Sequence, residues 1–199
     1  MKLTRDQVLA GALALLDEVG IDNLTMRRLA TSLGVQNGAT YWHFRSKQAL
    51  LASMAEAMLA DVTTGLDRSL PWDEQLTQLA HRLHRALLAH RDGARIFSGV
   101  FFPLPNALAY GDTMIGLLRA AGLPIREAAW AVDTFTYYVV GHTIEEQLAA
   151  DDPARAQLTE AVATDQYPNL AAAIEHIPAP HPPEHFEYGL RLLINGLRR

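Results

Sequence analysis

The chain has 199 residues, of which 49% are hydrophobic, and a formal net charge of −5. It is long and apolar enough to bury a core, and the absence of cysteine excludes disulfide bonds, thiolate metal sites and cysteine-based catalysis. No apolar run approaches the ~20 residues of a membrane span. The N-terminus also lacks the apolar core of a signal peptide, so we expect a cytoplasmic protein without membrane contact.

The charge is distributed unevenly along the chain. Residues 1–48 contain six Lys/Arg against four Asp/Glu, whereas the remaining residues contain eleven against eighteen. A basic N-terminal segment on an acidic body is compatible with a small head that binds nucleic acid.

The N-terminal segment contains three short helical patterns. Thr4 and Gln7 form a capping box that predicts a first helix, which Gly20 ends. Thr25 is expected to cap a second helix that ends at Gly34, where a sharp turn begins, and residues 36–44 form a third. Two short helices separated by such a turn are typical of a helix-turn-helix.

Beyond the head, the pattern is helical throughout and we find no convincing strand, so we predict an all-α fold. Ser46 should cap a fourth helix that continues past Val62 to Gly65. The further predicted helices are 72–90, 91–97, 106–121, 124–150, 166–177 and 184–198. Residues 151–165 are either a loop or a short helix, and the proline-rich residues 178–183 resist helix formation.

Several of these motifs together resemble the tetracycline-repressor (TetR) family. They are the spacing GVxxxxxYWHFxxKxxLL over residues 34–51, the preceding Gly20–Thr25, and the sequence HRDGA at 90–94, which is similar to the family's tetracycline-sensing branch. The resemblance implies a helix-turn-helix DNA-binding domain at 1–47, a connecting helix at 48–65 and a helical ligand-binding and dimerisation domain at 66–199. It also implies three kinds of partner: a double-stranded DNA operator, a small-molecule effector and a second copy of the chain.

The third helix is the predicted reader of the operator. The residues expected to contact bases in the major groove are Gln36, Asn37, Gly38 and Ala39. Those expected to contact phosphates are Arg27, Thr40, Tyr41, His43 and Lys47. The alternative is that the aromatic residues belong to the core, and for Trp42 and Phe44 we favour that interpretation.

The predicted effector site departs from that of the tetracycline-sensing branch. That branch holds a magnesium-drug chelate with a His, an Asn, a Phe, a metal-ligating His and a Glu. The matching positions here are Thr63, Leu79, Leu83, Phe97 and Glu145. Because Phe97 replaces the imidazole ligand, we expect that this protein does not sense magnesium-tetracycline.

An apolar pocket for a hydrophobic or aromatic molecule is expected instead. Its predicted apolar lining consists of Leu79, Leu83, Phe97, Val100, Phe101, Phe102, Met114 and Leu118. Thr63, Thr136, Tyr137, His142 and Glu145 would supply the polar groups. For each apolar residue, an ordinary place in the core is the open alternative.

The long helix at 124–150 is apolar around much of its circumference. It is either a central buried helix or, as the resemblance implies, part of a four-helix bundle with the last helix and the same pair from a second subunit.

Two histidine groups are candidate metal ligands, namely His81 with His84, and His142 with the glutamates at 145 and 146. Neither pair supplies three convergent ligands, so we expect no metal and no cofactor. The usual hydrolase and nucleotide-binding motifs are also missing, so no catalytic residue is predicted. The competing hypotheses are a helical small-molecule carrier or enzyme on the same fold, and a DNA-binding protein without an effector.

Overall fold

The computed structural model describes residues 3–100, 103–148, 154–162, 166–177 and 182–198, and these ranges contain helices and turns but no strand. The all-α prediction is therefore confirmed. The α-helices are α1 (Arg5–Val19), α2 (Met26–Ser32), α3 (Asn37–His43), α4 (Lys47–Met58), α5 (Trp72–Leu88), α6 (Gly93–Ser98), α7 (Pro105–Ala120), α8 (Ile125–Leu148), α9 (Ala154–Val162), α10 (Pro168–Ala173) and α11 (Pro183–Leu197). A short 3₁₀ helix, Ile174–His176, follows α10.

The capping signals of the head act as predicted. The Thr4 hydroxyl accepts from the Gln7 N–H at 3.2 Å, and the Gln7 side chain accepts from the Thr4 N–H at 2.9 Å. Thr25 caps α2 by accepting from the Arg28 N–H at 3.1 Å. Between α2 and α3 the chain reverses at Gly34, whose φ of 65° lies in the left-handed region that a side chain disfavours.

The fourth helix is shorter than predicted and ends at Met58. Beyond it the N–H groups of Leu59, Ala60 and Val62 bond to carbonyls three residues back, at 3.2, 3.2 and 3.1 Å. This segment therefore continues as tight turns, where β-branched residues at 62–64 no longer support an α-helix. The Arg82 guanidinium, on α5, donates to the carbonyls of residues 62, 64 and 65 and so replaces the missing helical donors.

The α5–α6 junction also differs slightly from the prediction. Helix α5 ends at Leu88 and α6 begins only at Gly93. The reason is Asp92, which takes a left-handed conformation with φ 56° and thereby interrupts the helical path. Helix α6 packs on α4 and α5, while α7 also packs on both.

Two compact units divide the chain, Met1–Thr143 and Ile144–Arg199, with the boundary inside α8. The described core of the first unit extends from Val8 on α1 to Val140 on α8. In the second, the predicted helix at 166–177 is split into α10 and the 3₁₀ helix, and α11 buries Phe186, Leu190 and Ile194. The predicted domain boundaries at 47 and 65 stay a prediction.

No helix in the described ranges is long and apolar enough to cross a membrane.

Candidate DNA-binding surface and effector region

The N-terminal half of α3 offers its side chains to solvent. Gln36, Asn37 and Gly38 are exposed, Ala39 is half-buried, and Arg27 is exposed on the neighbouring α2. The backbone and side-chain groups at the start of α3 are thus outside the core, where they could contact a major groove.

Two predictions for α3 need correction. Thr40 is fully buried and its hydroxyl donates to the Asn37 carbonyl at 2.8 Å, so its side chain is not available to a phosphate. Trp42 is 74% exposed, which makes the core interpretation wrong, whereas Phe44 is 2% exposed and confirms it. The physical reason is helical spacing: Thr40 and Phe44 lie one turn apart on the inner face, and Trp42 falls on the other side.

The other predicted phosphate contacts lie at or near the same surface. Tyr41 is 44% exposed, and His43 is half-buried with its ring 5.0 Å from that of Trp42. Lys47 is half-buried and donates from Nζ to the Ile21 carbonyl at 3.3 Å, so it ties α4 to the α1–α2 turn. Their contacts with DNA stay predictions.

A polar network joins the α1–α2 turn of the head to α6. Asp92 accepts from the Ile21 N–H at 2.9 Å and from the Arg95 guanidinium at 3.0 Å. Arg95 also donates to both oxygens of Asp22, at 3.2 and 3.1 Å. The hydrogen bond and charge of Arg95 lower the pKa of Asp22, and its acidic partners raise the pKa of Arg95. We call Ile21, Asp22, Asp92 and Arg95 the head–α6 network.

A second set of contacts lies at the end of α1. The two carboxylate oxygens of Asp17 lie 3.2 and 2.9 Å from His90 Nδ1, and Oδ1 accepts from the Arg91 N–H at 2.9 Å. The Arg91 guanidinium donates to the Glu18 carbonyl at 3.3 Å. The HRDGA sequence therefore holds α1 through its first two residues, His90 and Arg91, and the α1–α2 turn through its third, Asp92.

Helix α4 is tied to the segments on both sides of residues 101–102. Gln48 donates to the Gly99 carbonyl at 3.4 Å. Near the other end of α4, the Glu56 carboxylate accepts from the N–H groups of Asn106 and Ala107 at 2.8 and 3.3 Å, and Asn106 donates from Nδ2 to the Glu56 carbonyl at 3.1 Å. Helix α7 has no side-chain cap from its own N-cap residue, Leu104, so Glu56 supplies the acceptor.

Four of the predicted effector contacts lie in the core between α5 and α7. Leu79, Leu83, Met114 and Leu118 are all 0% exposed. Their role as pocket lining stays a prediction, and the core alternative remains open for each of them.

A buried phenol lies beside this apolar group. Tyr110 is 5% exposed, and its oxygen lies 3.4 Å from the Thr136 hydroxyl. Burial disfavours the phenolate and raises the pKa of Tyr110 to about 12. Thr136 was predicted as a polar effector contact, but Tyr110 was not.

The remaining residues predicted to contact the effector range from buried to exposed. Thr63, Phe97 and Val100 are half-buried and His142 is buried, whereas Tyr137 is 71% exposed and Glu145 is exposed. Phe101 and Phe102 lie outside the described residues.

One cleft lies between the end of α4 and α5, with a volume of about 450 Å³. Asp61, Arg82, Arg85 and His90 contribute polar walls beside Met58 and Val62. Its charged lining differs from the apolar pocket that the sequence predicts.

Sequence reasoning missed the contacts that join the head to α6. The partners are 71 to 74 residues apart in sequence, so no helical period can relate them. The one sequence feature related to these contacts was HRDGA, and it could be recognised only because it resembles the TetR family.

Taken together, these elements are those of a helix-turn-helix DNA-binding protein with a helical C-terminal region. A family model described as "Bacterial regulatory proteins, tetR family" matches residues 8–54, and one described as "Tetracyclin repressor-like, C-terminal domain" matches residues 66–199. The chain therefore belongs to the tetR family of bacterial regulatory proteins, and the resemblance seen in its sequence is confirmed.

Individual relatives agree with this assignment along the whole chain. The tetracycline repressor protein class A from transposon 1721 of Escherichia coli is 40% identical over 203 residues, covering 100% of this chain and 92% of the relative. A possible TetR family transcriptional regulator from Streptomyces coelicolor A3(2) is 45% identical, with a TM-score of 0.90 and 98% of each chain covered. The Streptomyces coelicolor protein ActR, in complex with actinorhodin, is 30% identical, with a TM-score of 0.87 and 99% and 97% covered.

Proposed function

We propose that this protein is a homodimeric repressor that binds a palindromic operator and is released from it by a hydrophobic or aromatic small molecule. The observation that carries the proposal is the head–α6 network, because it connects the part of the chain that would read DNA to the part that would bind an effector.

The DNA-binding arm of the proposal rests on α3. Gln36 and Asn37 are exposed at its start, and amide side chains can both donate to and accept from an adenine edge. The exposed Trp42 adds an apolar surface that the core does not use. A single short helix reads only a few base pairs, so two copies spaced by about one turn of DNA would be needed for a specific site.

The proposed dimer is supported by apolar side chains that are exposed in the described part of the chain. Trp130 and Tyr137 on α8 are 60% and 71% exposed, and Tyr188 and Leu192 on α11 are 58% and 56% exposed. Large aromatic residues are enriched at the centres of protein interfaces. A second subunit that contributes the same helices would cover them.

The proposed class of effector is supported by the metal-ligand atoms that are missing from the side chains near α5 and α7. Leu79, Leu83 and Phe97 offer no oxygen or imidazole ligand, and Mg²⁺ requires hard oxygen ligands in octahedral geometry. Among the matching positions a magnesium-drug chelate would therefore keep only Glu145 and would lack the imidazole ligand. An aromatic ligand would instead find apolar walls with the Tyr110–Thr136 pair as a polar group, and the similarity to ActR, whose structure contains actinorhodin, favours that ligand class.

The mechanism would be a coupling free energy between the two sites. The effector and the operator favour different positions of α6, and the head–α6 network passes the difference to the DNA-binding head. Coupling of about 3 kcal/mol lowers operator affinity on the order of a hundredfold, and the operator weakens effector binding by the same factor.

The first experiment selects duplexes from a random library at near-physiological salt, because phosphate contacts make affinity strongly salt-dependent. We expect one palindrome, bound less tightly by the Asn37→Ala variant by about 1–3 kcal/mol. Asn169→Ala is the matched control, since Asn169 is exposed on α10 and outside the head. Sequence-independent binding alone, or an equal loss in both variants, would contradict the DNA-binding role and favour the carrier hypothesis.

The second experiment measures release of that palindrome by two named probes. Actinorhodin is expected to release it, while tetracycline with Mg²⁺ is expected to have no effect. Release by magnesium-tetracycline would show that the argument from Phe97 is wrong, and failure of a panel of aromatic compounds to bind would favour a regulator without an effector.

A further inference from the structure

Two histidines from distant parts of the chain meet inside the first unit. His84 lies half-buried on α5, and His142 lies on α8 with 7% exposure. Their ring centroids are 5.8 Å apart with the planes at 80°, and a ring nitrogen of each lies within 4.8 Å of the other. The sequence offered His81–His84 and a group around His142 as separate pairs, but the fold takes one member from each.

A third ring lies beside this pair. The Tyr138 ring, one turn before His142 on α8, lies with its centroid 6.0 Å from that of His142. One turn after His142, the same helix carries Glu146, a carboxylate at a spacing that places both side chains on one face of α8. The buried His142 imidazole thus has two rings beside it, the Tyr138 phenol and the His84 imidazole.

Two facing imidazoles match the coordination chemistry of divalent transition metals. Zn²⁺ binds histidine nitrogen at ~2.0 Å, and two such bonds at a tetrahedral angle place the nitrogens ~3.3 Å apart. Rotation about the side-chain torsions of the half-buried His84 would close the remaining distance. Imidazole ligands favour Zn²⁺, Ni²⁺ or Cu²⁺ over the Mg²⁺ that the tetracycline-sensing branch uses.

We propose that His84 and His142 bind one divalent transition-metal ion and thereby join α5 to α8. The pair does not depend on the operator or on the identity of the effector, so the proposal stands apart from the proposed function. Its direct consequence is a metal-dependent stabilisation of the folded chain, since an ion that binds only the folded state raises the unfolding temperature.

The test uses the untagged full-length protein, freed of metal with a chelator and titrated with ZnCl₂ by calorimetry and by thermal unfolding. We expect one ion per chain and a higher melting temperature. Loss of one imidazole in His84→Gln or His142→Gln should weaken zinc binding at least about tenfold. His81→Gln is the matched control, because it lies on the same helix one turn before His84 but outside the facing pair.

A spectroscopic measurement keeps the proposal testable if the buried His142→Gln variant does not fold. The electron paramagnetic resonance spectrum of Cu²⁺ should show coupling to two imidazole nitrogens in the native protein and to one in His84→Gln. Absence of zinc-dependent stabilisation, unchanged binding by His84→Gln, or an equal loss in His81→Gln would each overturn the proposal.

Discussion

Replacing Asp92 with alanine should weaken the connection between head and body in a way that can be calculated from the structure. The Asp92 side chain is 15% exposed and accepts from the Ile21 N–H and from Arg95. Losing a hydrogen bond to a charged group costs about 1.5–3 kcal/mol. The Arg95 contact adds at most about 1 kcal/mol, because Arg95 is partly exposed and keeps Asp22 as a partner.

Backbone conformation contributes a further cost. Asp92 has a φ of 56°, and alanine tolerates this region less well than aspartate, by about 1 kcal/mol. The total is about 2.5–5 kcal/mol, which for a chain of this size lowers the melting temperature by about 5–20 °C.

Differential scanning calorimetry of three variants separates the contributions. Asp92→Asn keeps an oxygen acceptor and tolerates the left-handed conformation, so it should lose less than half as much as Asp92→Ala. Asp92→Gly removes the acceptor without the backbone strain and should fall between them. A melting temperature for Asp92→Ala within about 1 °C of the native value would refute this account of the network.

Two further predictions concern the interior of the first unit. Gly93→Ala would drive its Cβ into the Leu87 carbonyl oxygen and should lower stability by about 1–3 kcal/mol. Gly116→Ala on α7 meets nothing within 4 Å and should be neutral or stabilising by up to about 1 kcal/mol, so an equal loss in both would contradict the argument. For Tyr110, whose folded pKa is about 12 against an ordinary value of 10.0, the folded state holds its proton longer than the unfolded state. Stability should therefore fall as the pH rises from about 10 to about 12, by about 2–3 kcal/mol. Phenolate absorbance at 295 nm and unfolding across this range should show that Tyr110→Phe removes the fall and that the exposed Tyr137→Phe does not; a fall unchanged in Tyr110→Phe would disprove the assignment.

The parts of the fold that depend on neighbours in sequence could be predicted. Thr4, Thr25 and Ser46 each cap a helix where the sequence placed one, because a cap requires only the next three residues. Helix ends set by tertiary contacts were missed: α4 stops early where Arg82 supplies donors to the turn, and α6 starts late because Asp92 bonds to the head.

The same division holds for the candidate site. The small and polar side chains at the start of α3 could be identified from the sequence. The sequence-based prediction placed Trp42 in the core, because an aromatic residue near a helix end is ordinarily buried. Tyr110, and the pairing of His84 with His142, could not have been predicted, since nothing local relates residues on different helices. The resemblance in sequence was sufficient to identify the family, whereas the contacts between its helices could be seen only in the structure.

The carboxylate of Glu56 gives the first turn of α7 an acceptor that belongs to another helix. Two backbone donors of α7 therefore remain satisfied only while α4 keeps its present register. A slide of α4 by one residue, about 1.5 Å, would break both of these bonds and the bond between Gln48 and Gly99. Helix α4 is therefore hydrogen-bonded to other segments near both of its ends. It can tilt together with the segments around residues 99 and 106, but it cannot slide along them.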